Sequence, residues 1–389
     1  MPTRRTLLGG LAAAGAGLAL ARPRFAWAER AGPRRFVLIL LRGGLDGLAA
    51  VPAPGDPDWA SARGRAADDL IDLDGFFALH PALAPARPLW TDGELSIVHA
   101  AALPYAARSH FDAQDLLETG GAAPGDARDG WMNRALASLA ADRRGAVAIG
   151  GALPLVLQGD APAASIDPAR ESAVTDDYLS RVAALYQRDP RLGPSLEEAL
   201  AARELLSADG EMGERRPRAA SAWTAKLGAT AALLAQPDGP TLTAIDLGGW
   251  DTHTAQSRRM GRLLGGLADG LAAFRAGLPA ERWRQTVVVV VSEFGRAVKG
   301  NGTGGTDHGS GGVMLVAGGA VSGGRVLGDW PGLAPGALRD GRDLAGTTDV
   351  RTVLGGVLRD HLGVPEAALR RSVFPGAPIA GPSLGLVRG

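Results

Sequence analysis

Five consecutive valines, Val287 to Val291, stand at the centre of this chain's most apolar run. Successive side chains of a strand point to opposite faces, so an unbroken β-branched run leaves no face for water. Such a strand must be covered on both sides, as in a largely parallel sheet lying between two layers of helices. Nearly continuous apolar runs recur at 36–41, 95–100, 146–149, 153–157, 242–247 and 313–316, and each is expected to be a strand. Helical spacing predicts helices at 111–118, 132–141, 176–187, 196–206, 222–235, 255–274 and 350–362. Strands that alternate with helices define an α/β fold.

The 389 residues can bury a large core, and no internal repeat or Pro/Gly/Ser-rich linker divides them. The expectation is one domain over residues 29–389, with an Ala-rich helical insertion at about 172–236. Lys plus Arg and Asp plus Glu both number 41, and no basic run is interleaved with aromatics. No field therefore draws the chain to nucleic acid. Cysteine is absent, which excludes disulfides, thiolate nucleophiles and thiolate metal sites, so any metal must be held by oxygen and nitrogen.

The N-terminus reads MPTRRTLLGGLAAAGAGLALARPRFAWAER. The Arg4–Arg5 pair, a weakly apolar stretch and Ala26-Trp27-Ala28 read as a twin-arginine export signal over residues 1–28. Its expected partner is the twin-arginine translocase, and its expected destination the periplasm or the medium. Residues 7–21 are too few and too Gly-rich to span about 30 Å of hydrocarbon, so no stable transmembrane anchor is expected. Without residues 1–28, which hold four arginines and no acids, the chain carries 37 basic and 41 acidic residues, a net charge of −4.

In open α/β sheets the ligand crevice lies outside the carboxyl ends of the strands. Asp46, Asp251 and Glu293 each follow an apolar run within a few residues, so parallel strands would aim all three at that crevice. Converging carboxylates repel unless a cation sits among them. His253 and His308, the latter in GNGTGGTDHGSGG, add neutral imidazoles. The set suits one or two divalent ions: Zn²⁺ or Mn²⁺, or Mg²⁺ or Ca²⁺ if carboxylates dominate. Each residue also has a local alternative: Asp46 as a helix cap, Glu293 paired with Arg296, Asp251 and His253 as a turn, His308 as loop surface.

Ser109, ahead of the helix predicted at 111–118, is either a nucleophile facing free backbone N–H groups or an N-cap with Asp112 in the first turn. His110 beside it could ligate or act as acid or base. Arg42 and Arg296 could bind anionic oxygens bidentately or simply pair with acids. His80, His99 and His361 suit structural roles. There is no Gly-x-Ser-x-Gly elbow, phosphate loop or opening Gly-x-Gly-x-x-Gly, which disfavours nucleotide chemistry.

The segments LILLRGGLDGLAAVPAPGDPDW, LDGFFALHPALAPARPLW, RSHFDAQDLLETG, IDLGGWDTHTAQ, VVVVSEFGRAVKGNGTGGTDHGSGG and DLAGTTDVRTVLGGVLRDHLG resemble the bacterial domain-of-unknown-function 1501 family through nearly the whole mature chain. That family is similar to the alkaline phosphatase and sulfatase superfamily. The resemblance implies an α/β sheet with divalent metal at its strand ends and hydrolysis of phosphate or sulfate esters. It places Asp46 as an acidic ligand, Ser109 as nucleophile, Asp251 and His253 as a ligand pair and His308 as the last histidine ligand.

Ser292-Glu293-Phe294-Gly295 takes the place of a Ser-Asp-His-Gly motif, and a phenyl ring cannot coordinate as an imidazole does. This disfavours the ordinary two-metal arrangement and leaves one ion, or an altered pair with His110 or Asp307 as substitute ligand. No Cys/Ser-x-Pro-x-Arg is present to make formylglycine. The expectation is an exported metal-dependent hydrolase of a small anionic phosphate, phosphonate or sulfate ester, with Ser109 and His110 catalytic. The alternative is a periplasmic or envelope binding protein that keeps the fold without turnover.

Overall fold

A computed structural model describes residues 34–64, 69–140, 145–168, 186, 189, 192–196, 219–379 and 384–388. The expected signal at 1–28, and most of the expected insertion with its helices at 176–187 and 196–206, lie outside the described residues. Eleven strands are present among those residues: β1 (Arg35–Arg42), β2 (Ile71–Asp72), β3 (Ala78–Leu79), β4 (Leu95–Ala102), β5 (Ala146–Ile149), β6 (Ala164–Ile166), β7 (Leu242–Gly248), β8 (Thr286–Ser292), β9 (Gly312–Ala317), β10 (Arg325–Leu327) and β11 (Thr348–Asp349). All but the β2–β3 hairpin join one nine-stranded sheet in the order β10-β4-β9-β8-β1-β7-β5-β6, with β11 also on β4. The pairings are parallel except those of β9 with β4 and β8, so β9 runs against the other described strands of this sheet.

The valine run behaves as its composition requires. Val288 and Val290 enter one core with Val37, Ile39 and Leu41 of β1. Val287, Val289 and Val291 enter the other with Phe36, Leu38 and Leu40. Each fully buried valine contributes about 1.5–3 kcal/mol relative to an exposed one, which makes the centre of the sheet rigid. Among the described residues, the helices that cover the sheet or frame its edge include α1 (Gly47–Ala50), α2 (Trp59–Arg63), α3 (His110–Thr119), α4 (Trp131–Ser138), α5 (Ala219–Ala235), α6 (Gln256–Gly277) and α7 (Val350–Val357). Leucines of α5 and α6 cover the first face. Residues of α3, α4 and α7 cover the second.

The segment expected as a strand at 153–157 is instead a short 3₁₀ turn, Leu155–Leu157. Pro154 supplies no N–H to a ladder, and the Val156 N–H donates to Glu118 Oε2 at 3.0 Å rather than to a neighbouring strand. Among the described residues no helix is long and apolar enough to cross a membrane.

Candidate metal centre at the edge of the sheet

Five chain segments meet at one edge of the sheet. The carboxyl ends of β1, β7 and β8 lead to Gly43, Asp251 and Glu293, and β4 leads on to Arg108 and His110. Because β9 is reversed, its entry rather than its exit lies at this edge, and that entry follows His308. The segments pack closely. Gly43 has φ +121°, and a Cβ there would lie 2.4 Å from the Asp251 backbone nitrogen. A Cβ on Gly305 would lie 2.2 Å from the His253 carbonyl carbon, so the Gly-rich loop can close over that histidine only without a side chain.

Three imidazoles converge here. His308 Nε2 lies 3.0 Å from His110 Nε2 and 2.9 Å from His253 Nε2. The Asp251 carboxylate completes the cluster, with Oδ1 3.0 Å from His253 Nε2 and 3.4 Å from His308 Nε2, and Oδ2 3.7 Å from His110 Nε2. One ligand atom each from His110, Asp251 and His308 fall within 4.8 Å of one another. His253 extends that trio through its contacts to His308 and Asp251.

The opposite nitrogen of each ring is already committed. His110 Nδ1 meets Glu293 Oε1 at 2.8 Å, His253 Nδ1 meets Asp307 Oδ1 at 3.3 Å, and His308 Nδ1 meets the Arg108 carbonyl at 3.0 Å. Carboxylates and carbonyls accept only, so these partners assign the proton to Nδ1 in every ring and leave the Nε2 lone pairs facing one another. Lone pairs about 3 Å apart repel, and a proton or a cation must stand among them. The pattern is that of imidazole ligands oriented by outer carboxylates and a backbone oxygen.

Titration behaviour follows these contacts. Glu293 is buried, which by itself would raise its pKa, but hydrogen bonds from His110, Gln114 and the Gly43 N–H outweigh this and hold it at about 2. Burial likewise opposes ionisation of Asp251, and the Arg296 guanidinium, 2.5 Å from Oδ1, overcomes it. The Glu293 hydrogen bond raises the pKa of His110, whereas burial and the neighbouring His110 lower that of His308.

Other expected site residues take different places. Asp46 lies apart from the cluster: it caps α1 through the Ala49 N–H and binds Arg63 and Gln256 with both oxygens. Arg296 is wholly buried; it holds Asp251 and donates to the carbonyls of Gly43, Gly44, Trp250 and Thr306. Arg42 is held by Glu118 and Asp246. Both guanidiniums are thus satisfied from within the protein. Ser109 sits at the N-cap of α3 without a side-chain capping bond, which leaves its hydroxyl uncommitted to the helix amides. Phe294 packs its ring 4.8 Å from that of His110 and 5.0 Å from that of His308.

His80, His99 and His361 serve the fold: His80 caps a 3₁₀ helix, His99 contacts the Val51 carbonyl, and His361 contacts that of Arg35. Sequence reasoning did not find Gln114, Asn301 or the Arg108 carbonyl. Only the helical spacing of Gln114 from His110, four positions on α3, offered a signal.

Fold and cluster together define an α/β protein with a histidine- and carboxylate-lined centre at the edge of its sheet. The chain belongs to the family described as protein of unknown function (DUF1501), which matches residues 90–354 and so includes every member of the cluster. No curated protein matches the chain. Among solved structures, the crystal structure of Ps i-CgsB in complex with k-i-k-neocarrahexaose is similar over 85% of this chain and 72% of that one, at 10% identity and a TM-score of 0.44. The crystal structure of Ps i-CgsB is similar over 75% of this chain and 68% of that one, at 12% identity and a TM-score of 0.37.

Proposed function

We propose that this protein is an exported metal-dependent hydrolase whose single divalent ion is held by His110, His253, His308 and Asp251. The observation that carries the reading is the commitment of all three Nδ1 atoms to acceptors, which turns the Nε2 lone pairs of His110 and His308 and the Asp251 carboxylate toward a common point, with His253 Nε2 beside His308 and Asp251. Three imidazoles with one carboxylate suit Zn²⁺, and the imidazole majority disfavours Mg²⁺ and Ca²⁺. A second ion has poor support: Asp46 is engaged by Arg63 and Gln256, Glu293 by His110, and Phe294 packs an apolar ring against those of both His110 and His308.

When bound, such an ion supplies Lewis acidity to an ester oxygen and lowers the pKa of a nearby hydroxyl. Ser109 precedes a ligand directly and has no capping bond to break, so it is the proposed nucleophile. His110 and Glu293 form a carboxylate–imidazole pair that fixes one ligand. The resemblance to the alkaline phosphatase and sulfatase superfamily directs the reading to phosphate, phosphonate or sulfate esters. With Arg42 and Arg296 engaged internally, the anionic oxygens would be met by the ion and by backbone N–H groups at the start of α3. The twin-arginine signal at 1–28 gives the proposed route of export.

The test is elemental analysis of the purified protein beside His253→Ala and His308→Ala, followed by assay on phosphate mono- and diesters, phosphonates and sulfate esters. About one equivalent of metal in the wild type, lost in both folded variants, with turnover abolished in Ser109→Ala, is expected. A wild type that takes up no divalent ion would sink the reading. Metal retained without turnover on any ester would favour the binding protein, a reading that the aromatic wall of Phe294 also suits.

A further inference from the structure

Arg108 has φ +60°, in the left-handed region that a long side chain does not favour. Its own side chain explains how the conformation persists. Nε donates to Asp343 Oδ2 at 2.8 Å and Nη2 to Asp340 Oδ2 at 2.9 Å. Asp343 is fully buried, and it also accepts from Ser310 Oγ at 3.0 Å and from Arg342 Nε at 2.9 Å. The Arg342 guanidinium in turn donates to the carbonyl of His308. One carboxylate therefore clamps the turn that leads into α3 to the loop that carries His308.

The outcome of this clamp is the direction of one carbonyl. We infer that the Arg108 backbone oxygen is a positioning group that selects the Nδ1–H tautomer of His308, and that Asp343 keeps it aimed through the Arg108 side chain. Its purpose rests on the metal-centre reading, whereas its content rests on these hydrogen bonds alone. His308 is the member on which the choice matters most. Its Nε2 contacts His110, His253 and Asp251 at once, and a proton placed there would block the point where the other groups converge. His110 and His253 have carboxylates to fix their tautomers, whereas His308 Nδ1 is met by this backbone oxygen instead.

The experiment uses the full chain labelled with ¹⁵N-histidine, stripped of metal and kept at a pH where the imidazoles are neutral. Side-chain ¹⁵N shifts of His308 are expected to report the Nδ1–H tautomer in the wild type. In Arg108→Gln they are expected to move toward the Nε2–H form, and in Arg108→Lys, which keeps a charge for Asp343, largely back. Zn²⁺ affinity by chelator competition should fall roughly 10–100-fold in Arg108→Gln and recover in Arg108→Lys. Should Arg108→Gln not fold, Ser310→Ala removes one of the contacts that steady Asp343 and is expected to move the shifts the same way by less. Unchanged His308 shifts in the folded variants overturn the inference. A tautomer change in a protein that never binds zinc upholds it while sinking the metal reading, so the two failures are distinct.

Discussion

Asp46 and Glu293 both follow a central strand within four residues, and both are almost wholly buried. Their partners separate them. Burial opposes ionisation of Asp46, but the Arg63 guanidinium and Gln256 more than offset it and hold its pKa below the usual range. Glu293 is answered mainly by His110, Gln114 and a backbone amide. Loss of Asp46 strands a largely buried guanidinium, so Asp46→Ala is expected to cost about 3–5 kcal/mol in urea unfolding while the Zn²⁺ affinity of the folded fraction matches that of the wild type. Glu293→Gln is expected to bring roughly a 10–100-fold loss of Zn²⁺ affinity by chelator competition. Equal metal affinity in Glu293→Gln and wild type would remove Glu293 from the centre. Nothing local in the sequence distinguishes these acids, because Gln256 lies 210 positions from Asp46 and His110 lies 183 from Glu293.

Elements with both faces buried could be read from the sequence, and those without could not. The strands β1, β4, β5, β7, β8 and β9 coincide with apolar runs because most of their apolar side chains enter one core or the other. β6, β10 and β11 span three residues or fewer, too short for any periodicity to register. The direction of β9 is not written in its composition, since a buried antiparallel strand is as apolar as a parallel one. That reversal is nonetheless what brings His308 beside the ends of β7 and β8. Between β8 and β9 the Gly-rich loop is drawn in by Asn301, which donates to the His253 carbonyl at 3.0 Å and to Asp307 at 3.1 Å. Gly305 must then approach His253 without a Cβ. Gly305→Ala is therefore expected to push the loop outward and weaken Zn²⁺ binding while the far-ultraviolet circular dichroism stays native. Unaltered zinc affinity would mean that the loop does not set the position of His253.

At the scale of the whole molecule, stability and the candidate centre are governed by different histidines. His99 lies inside β4, stacked on Phe77 and edge-on to Trp330, with Nε2 2.9 Å from the Val51 carbonyl and Nδ1 accepting from the Ala100 N–H at 2.9 Å. Burial is the main reason its pKa falls from 6.5 to about 4, against the smaller raising effects of the Val51 carbonyl and Asp46. The folded protein thus keeps His99 neutral where the unfolded chain would protonate it. Its share of stability is complete above pH 6.5 and declines as the pH falls toward about 4, because the unfolded state binds the extra proton across that window. The depression corresponds to about 3 kcal/mol when complete. In metal-stripped protein, where ligand release does not contribute, unfolding free energies by urea should fall between pH 7 and pH 4.5 by about 2–3 kcal/mol more in the wild type than in His99→Gln. Glutamine can still meet the Val51 carbonyl but does not titrate, and the cluster histidines are common to both proteins, so the difference isolates one buried ring. Parallel pH profiles for the two proteins would show that water reaches His99 and that the core around β4 is looser than its packing implies.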